Sequence, residues 1–321
     1  MAKQQPIVIA HRGASGYLPE HSLASKAVAH AMGADYLEQD VVLSKDGVPV
    51  VLHDIHLEST TDVAQKYPKR ARKDGRFYAI DFDLDELHSL RLHERSRTDA
   101  NGNEIAVYPS RFPLQETSFQ IPTLAQEIAL IQGLDESTGK KTGIYVELKS
   151  PQWHTNEGLD IAVAVLEDLE NSGYAGRTDQ VYLQCFDDKT LRRLRNDLNT
   201  PLPLIQLIGE NAWGEDGAVD YTAMRSPTGL AEVATYAQGI GPWLHQIYEG
   251  KTKEGVPIIS DLVADAHSHN LLVHPYTFRK DELPKGITRF DELLELFLVT
   301  AGVDGLFTDF PDLAVNYINS L

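Results

Sequence analysis

The sequence predicts an α/β fold, a (β/α)8 TIM barrel with a small subdomain inserted after the second strand. Short apolar, β-rich runs recur eight times, with helically spaced segments between them. That alternation builds a parallel sheet, and eight strands close a barrel. Histidines and carboxylates cluster at the ends of the early runs, where barrel enzymes keep their active sites.

The strands are predicted at residues 7–10, 36–43, 143–148, 181–186, 203–208, 238–241, 271–276 and 305–308, the sixth being the shortest signal. Ser22 is placed to cap a helix whose apolar stripe is Leu23, Ala24, Ala27, Val28 and Ala31, ending at Gly33. Ile161, Val165 and Leu169 predict a helix over 158–169, and a final helix covers 312–318. Asp46-Gly47 between two apolar runs is a two-residue hairpin signal. In that register Lys45 faces Val48, and His53 falls opposite Asp40 on the same face. Residues 54–120 are charged and polar, with a helical pattern at Leu84, Leu87 and Leu90. They are too long for an ordinary loop and are expected to form a subdomain at the barrel mouth. The whole chain, 1–321, is then one catalytic barrel domain.

The net charge of −18, from 29 basic and 47 acidic residues, argues against nucleic acid as a partner, because phosphate backbones need clustered Lys and Arg. A small phosphate ester needs only a local cationic pocket. The lone Cys185 rules out an intrachain disulfide and reads as a buried filler. No run reaches the roughly 18–20 apolar residues of a membrane span, so stable membrane insertion is not expected. Residues 1–5 lead straight into the first strand without a signal peptide. That fits a cytoplasmic protein or an exported one whose leader has been removed.

Glu38 and Asp40 lie two apart on one strand and so share a face. Alone, such a pair is often a solvated strand face. Glu147 ends the next barrel strand, about 4.8 Å away across the sheet. Three carboxylates at two neighbouring strand ends repel unless a cation sits among them, and hard cations such as Ca²⁺ or Mg²⁺ take oxygen ligands. Lys149 shares the face of Glu147 and offers a charge for a phosphate oxygen. His11 ends the first strand, and Arg12 adds a planar fork suited to phosphate before the Gly13–Gly16 loop. His11 and His53 are the candidate proton-transfer groups. His274 ends the seventh strand and is placed to line the pocket. His267 and His269 read as surface, and His21, His56, His88, His93 and His154 have no convergent partner in the sequence. The glycines match neither a dinucleotide-binding nor a P-loop pattern.

HRGASGYLPEHS, LEQDVVLSKDGVPVVLHD and VELK resemble the glycerophosphodiester phosphodiesterases, over nearly the whole chain. YPKRARKDGRFYAIDF, GRTDQVYLQCFD, LLVHPYTFR and GVDGLFTDFPD are similar to the larger bacterial, often periplasmic, branch. The resemblance implies hydrolysis of a glycerophosphodiester to sn-glycerol 3-phosphate and an alcohol. It implies one divalent cation, commonly Ca²⁺ with Mg²⁺ as the alternative, held by Glu38, Asp40 and Glu147. His11 and His53 would be the acid–base pair, with Arg12 and Lys149 on the phosphate. The chain departs from the family where Pro19-Glu20-His21-Ser22 replaces the common Pro-Glu-Asn-Thr. The rival functions are a barrel phospholipase, which would want an apolar rim or basic surface, and a non-catalytic solute-binding barrel, which would not need both histidines. A periplasmic location is the expectation, with the cytoplasm as the alternative and a homodimer compatible with either.

Overall fold

Eight parallel strands close into a barrel in the computed structural model of the chain, which describes residues 5–114, 117–214 and 219–321. They are Ile7–Ala10, Tyr36–Leu43, Gly143–Leu148, Val181–Cys185, Leu204–Ile208, Gly239–Pro242, Leu272–Val273 and Gly305–Thr308. The first seven pair each with the next in this order, and the first also pairs with the eighth. The last seam, between the seventh and eighth strands, is closed by Asp304 N–H to Val273 O and Phe307 N–H to Pro275 O, both 3.0 Å. The seventh strand is far shorter than the predicted 271–276. Pro275 lacks an N–H and cannot continue a ladder, although His274 N–H still reaches Ile240 O at 3.0 Å.

Alternation along the strands fills the barrel interior with Ile9, Tyr145, Ile205 and Phe307. The Tyr145 ring stacks on Tyr182, 4.8 Å between centroids, and meets Phe307 edge-on at 4.9 Å. Gly143 is obligatory in this layer, since a Cβ there would lie 2.2 Å from the Tyr36 ring. The main apolar core lies outside the wall, against helices such as Leu23–Ala31 and Ile161–Asn171. Ser22 caps the first of these, its side chain accepting from Ser25 N at 3.1 Å. The predicted 158–169 helix is shifted. Gly158 turns with φ +89°, a separate helix covers Pro151–Asn156, and Asp160 caps Ile161–Asn171. The last helix, Pro311–Asn319, starts one residue early with proline in its first turn.

The hairpin differs from expectation by one residue. Val41 faces Val51, Val42 faces Val50 and Leu43 faces Pro49. Residues 45–47 form a three-residue loop, because Ser44 closes it. Ser44 N–H donates to Val48 O, and Gly47 N–H donates to Ser44 O, each at 3.0 Å. The Ser44 hydroxyl bonds Asp46 Oδ1 at 2.6 Å and accepts from Val48 N at 2.9 Å. Leu52, not His53, therefore faces Asp40, its N–H reaching Asp40 O at 2.8 Å. The two-residue turn predicted from Asp46-Gly47 does not form, and the hairpin register does not set His53 opposite Asp40.

Between the second and third barrel strands, the chain gathers its own apolar cluster around Leu57, Phe77, Phe82, Leu87 and Leu90. The short helices Val63–Lys66 and Leu84–His88 and the strand pair Ser96–Thr98/Glu104–Ala106 belong to this segment. Arg72 forks onto Asp81 and Glu157, and Tyr78 stacks on Trp153 at 5.5 Å, pinning the segment to the barrel's outer helix.

Candidate active site

The first strand delivers His11 to the mouth, where its N–H bonds Thr308 O at 3.0 Å. The following turn is tight, not open. Gly13 takes φ +87°, and a Cβ there would lie 2.4 Å from Ser25 Oγ. His11 Nδ1 meets Asp309 Oδ1 at 2.6 Å, and its Nε2 lies 3.9 Å from Glu38 Oε2. Burial, reinforced by the Arg12 charge, pushes the His11 imidazole down to about 4. Asp309 sits just past the eighth strand, beneath two guanidinium groups: Arg279 Nε at 2.7 Å and Arg111 Nη2 at 2.8 Å. Burial alone would raise its carboxyl, yet Arg279 and His11 hold it well below the usual carboxylate range.

His53 reaches the same cavity by a different route. The chain leaves the strand after Val51 and bends at 53–55, which swings the imidazole into the mouth despite the shifted register. Its Nδ1 meets Asp54 Oδ1 at 2.6 Å, and its Nε2 faces Lys149 Nζ at 3.3 Å. Burial first, then Arg12 and Lys149, lower the His53 imidazole to about 4.

Glu38, Asp40 and Glu147 lie at adjacent strand ends, Asp40 paired with Glu147 across the ladder. One carboxylate oxygen from each falls within 4.8 Å of the others, and all three residues are buried. Burial and mutual repulsion raise Glu38 well above the usual range, and burial lifts Glu147 to about 8 against the opposing Lys149. Asp40 Oδ1 is buried without a hydrogen-bond partner. A hard cation supplies what this trio lacks, a positive charge among oxygens that cannot all stay ionised alone. The buried acidic cluster is thus able to hold a divalent metal ion.

Arg12 and Lys149 complete the polar half of a cavity of about 310 Å³. Arg12 has φ +58°, donates its backbone N–H to Glu38 at 2.8 Å, grips Glu20 through Nη1 and holds Nε 3.4 Å from Asp40 Oδ2. Lys149 reaches Glu147 at 2.8 Å. Phe186, Leu207, Trp213, Trp243 and Leu244 form the apolar half. All seven sequence-predicted site residues line this one cavity.

Other expectations are corrected. His274 is buried beneath the mouth, its Nδ1 bonded to Tyr145 OH at 3.0 Å, and does not line the cavity. His21 is not partnerless: its Nε2 meets Asp40 Oδ2 at 2.8 Å. Its φ of +60° suits the left-handed region, which Asn, Asp and His enter more readily than most residues. His154 Nε2 accepts from Leu43 N–H at 3.1 Å. Cys185 is buried as expected. Sequence reasoning missed Asp309, Glu20, Arg95, Arg111 and Arg279. Only Asp309 carried a usable signal, a carboxylate directly after a barrel strand.

The chain matches the model of the glycerophosphoryl diester phosphodiesterase family over residues 11–313. It is 45% identical to a glycerophosphodiester phosphodiesterase of Haemophilus influenzae, across 99% of this chain and 91% of that protein. It is 39% identical to one from Treponema pallidum, across 97% and 91%. A phosphodiesterase from Oleispira antarctica, solved with the product sn-glycerol-3-phosphate, superposes with a TM-score of 0.64 at 21% identity, covering 98% of this chain and 97% of that one. A glycerophosphodiester phosphodiesterase from Agrobacterium tumefaciens gives 0.61 at 19%, covering 97% and 99%. These two likenesses establish the barrel fold. No helix among the described residues is long and apolar enough to cross a membrane.

Proposed function

The chain belongs to the glycerophosphoryl diester phosphodiesterase family, and from that premise we propose that it hydrolyses glycerophosphodiesters to sn-glycerol 3-phosphate and an alcohol, with His11 and His53 as the acid–base pair. The observation that carries this reading is the convergence of two His–Asp pairs on one cavity that also holds three clustered carboxylates.

Each aspartate accepts from an imidazole Nδ1 and leaves Nε2 to exchange protons with substrate. One Nε2 removes the proton of the attacking hydroxyl, and the other donates a proton to the departing alcohol oxygen. Two routes share these roles. In one, the substrate's own 2-hydroxyl attacks, and water then opens the cyclic phosphate with the histidines exchanging roles. In the other, water attacks directly. Both imidazoles are poised neutral by burial, and the anionic phosphate supplies the charge that favours protonation of the donor. Arg12 and Lys149 orient and neutralise the phosphate. Glu38, Asp40 and Glu147 would hold one divalent cation, Ca²⁺ in this proposal. When bound, it would stabilise negative charge developing on the phosphoryl oxygens. Residence in the periplasm belongs to the same proposal and rests on the resemblance to the larger bacterial branch.

The test is release of sn-glycerol 3-phosphate from glycerophosphocholine before and after metal removal, with His11→Ala and His53→Ala alongside. Each histidine variant is expected to lose about 10²–10⁴ in kcat, and the stripped protein to recover activity on adding Ca²⁺. A stripped protein at full rate sinks the cation assignment. A His11→Ala variant at the wild-type rate removes that residue from the chemistry. Full activity on a substrate lacking the 2-hydroxyl excludes the cyclic route.

A further inference from the structure

The long segment between the second and third barrel strands sends one arginine to each His–Asp pair. Arg95 donates from Nη1 to Asp54 Oδ2 at 2.7 Å. Its other edge grips Glu20 through Nη2 at 2.7 Å and Nε at 3.0 Å, and Glu20 holds Arg12 Nη1 at 3.0 Å. Arg111 Nη2 lies 2.8 Å from Asp309 Oδ2, and the same guanidinium forks onto Asp281 at 2.8 and 2.9 Å. Tyr108, from the same segment, lies under Arg111 with its ring centroid 3.7 Å from the guanidinium carbon. The two arginines border a chamber of about 190 Å³ behind the histidines. An arginine-lined chamber suggests an anion site at first sight. Here, however, the guanidinium hydrogen bonds go to carboxylates, to the Ser15 carbonyl and to the Ser59 hydroxyl, so the groups already have their partners inside the protein.

We propose that Arg95 and Arg111 are positioning residues, each fixing the aspartate that orients one catalytic imidazole, and that residues 54–120 thereby form an integral part of the acid–base machinery. The guanidinium fork suits this work because it sets direction as well as charge. The arms are not equivalent. Arg95 also steadies Arg12 through Glu20, so it serves the phosphate contact as well as His53. Arg111 serves His11 alone.

The inference rests on the His11/His53 roles proposed above. If those roles fail, His11→Ala and His53→Ala stay active. If only the buttress fails, they are inactive while the arginine variants stay active. Arg95→Ala and Arg111→Ala are each expected to lose about 100-fold in kcat, as small misplacements of a reacting group do. KM should rise in Arg95→Ala and hold nearly constant in Arg111→Ala, and free guanidinium should restore part of kcat in both. Proton NMR supplies a readout apart from activity. The short Nδ1–H bonds, 2.6 Å each, give far-downfield protons, assigned with His11→Gln and His53→Gln. Arg111→Ala should lose or shift the His11 proton alone, and Arg95→Ala the His53 proton alone. A folded arginine variant with wild-type kcat overturns the proposal, as does loss of both protons together. If an alanine variant does not fold, Arg95→Lys and Arg111→Lys decide: they keep the charge and lose the fork, and wild-type kcat in either overturns the assignment of that arm.

Discussion

The pairs His11–Asp309 and His53–Asp54 share a 2.6 Å contact and have opposite origins. The first joins residues 298 apart, across the seam where the first strand meets the last. It is nearly sealed, with side-chain exposures of 9% and 2%. The second joins neighbours in sequence on a bend outside the barrel wall, and its side chains are 30% and 25% exposed. The barrel wall brings the first pair together, and Arg111 and Arg279 then hold its aspartate, whereas the second pair forms on a bend and takes Arg95 from another segment. The same pairing is therefore reached once by topology and once by a local turn, with an arginine on each aspartate.

The largest break in this comparison should come from the aspartates. Asp309→Asn leaves two guanidinium groups, Arg111 and Arg279, facing a neutral amide in a closed site. It is expected to cost about 3–5 kcal/mol of stability. Asp54→Asn, in a wetter setting, should cost about 1–3 kcal/mol. Urea denaturation checks the order, and the contrast fails if Asp54→Asn costs more. The next effect is on titration. Both imidazoles are lowered from 6.5 towards about 4, with burial the leading cause. His53 is the more exposed of the two, so it should titrate nearer to 6.5 than His11. Because the folded values are depressed, each imidazole contributes stability that is fully present above 6.5 and is lost as pH falls towards 4. Imidazole nitrogen NMR on metal-free protein measures both values, and a His53 titrating below His11 contradicts the burial argument. The smallest effect is expected at the hairpin loop. Gly47 has φ +78° with open space around a Cβ, so Gly47→Ala should cost about 1 kcal/mol and leave kcat unchanged. A tenfold fall in kcat would mean that the loop, and not the bend at 53–55, sets His53.

Much of the barrel was legible because its strands are short apolar runs between helical patterns, and Tyr36–Leu43, Gly143–Leu148 and Gly305–Thr308 fall at their predicted bounds. The hairpin register was misread because Asp46-Gly47 matches a two-residue turn, while the deciding group is the Ser44 hydroxyl one step earlier. The metal-type cluster could be read because period-two alternation puts Glu38 and Asp40 on one face and the next strand adds Glu147. The residues that orient the histidines could not. Arg95 and Arg111 look like any charged residues in a polar stretch, and their partners Glu20, Asp54, Asp281 and Asp309 are brought to them only by tertiary packing. The contact of His21 with Asp40 was equally hidden, since it depends on a left-handed backbone that sequence does not announce.

The seam that unites His11 with Asp309 has a consequence for how the protein comes to life. A ribosome releases His11 before every other site residue and Asp309 after all of them. The unfinished chain therefore carries the three clustered carboxylates, Arg12, Lys149 and the complete His53–Asp54 pair, but not the second pair. On the acid–base roles proposed above, turnover begins only when the last strand docks against the first, so the appearance of product during cell-free translation would time the closing of the barrel.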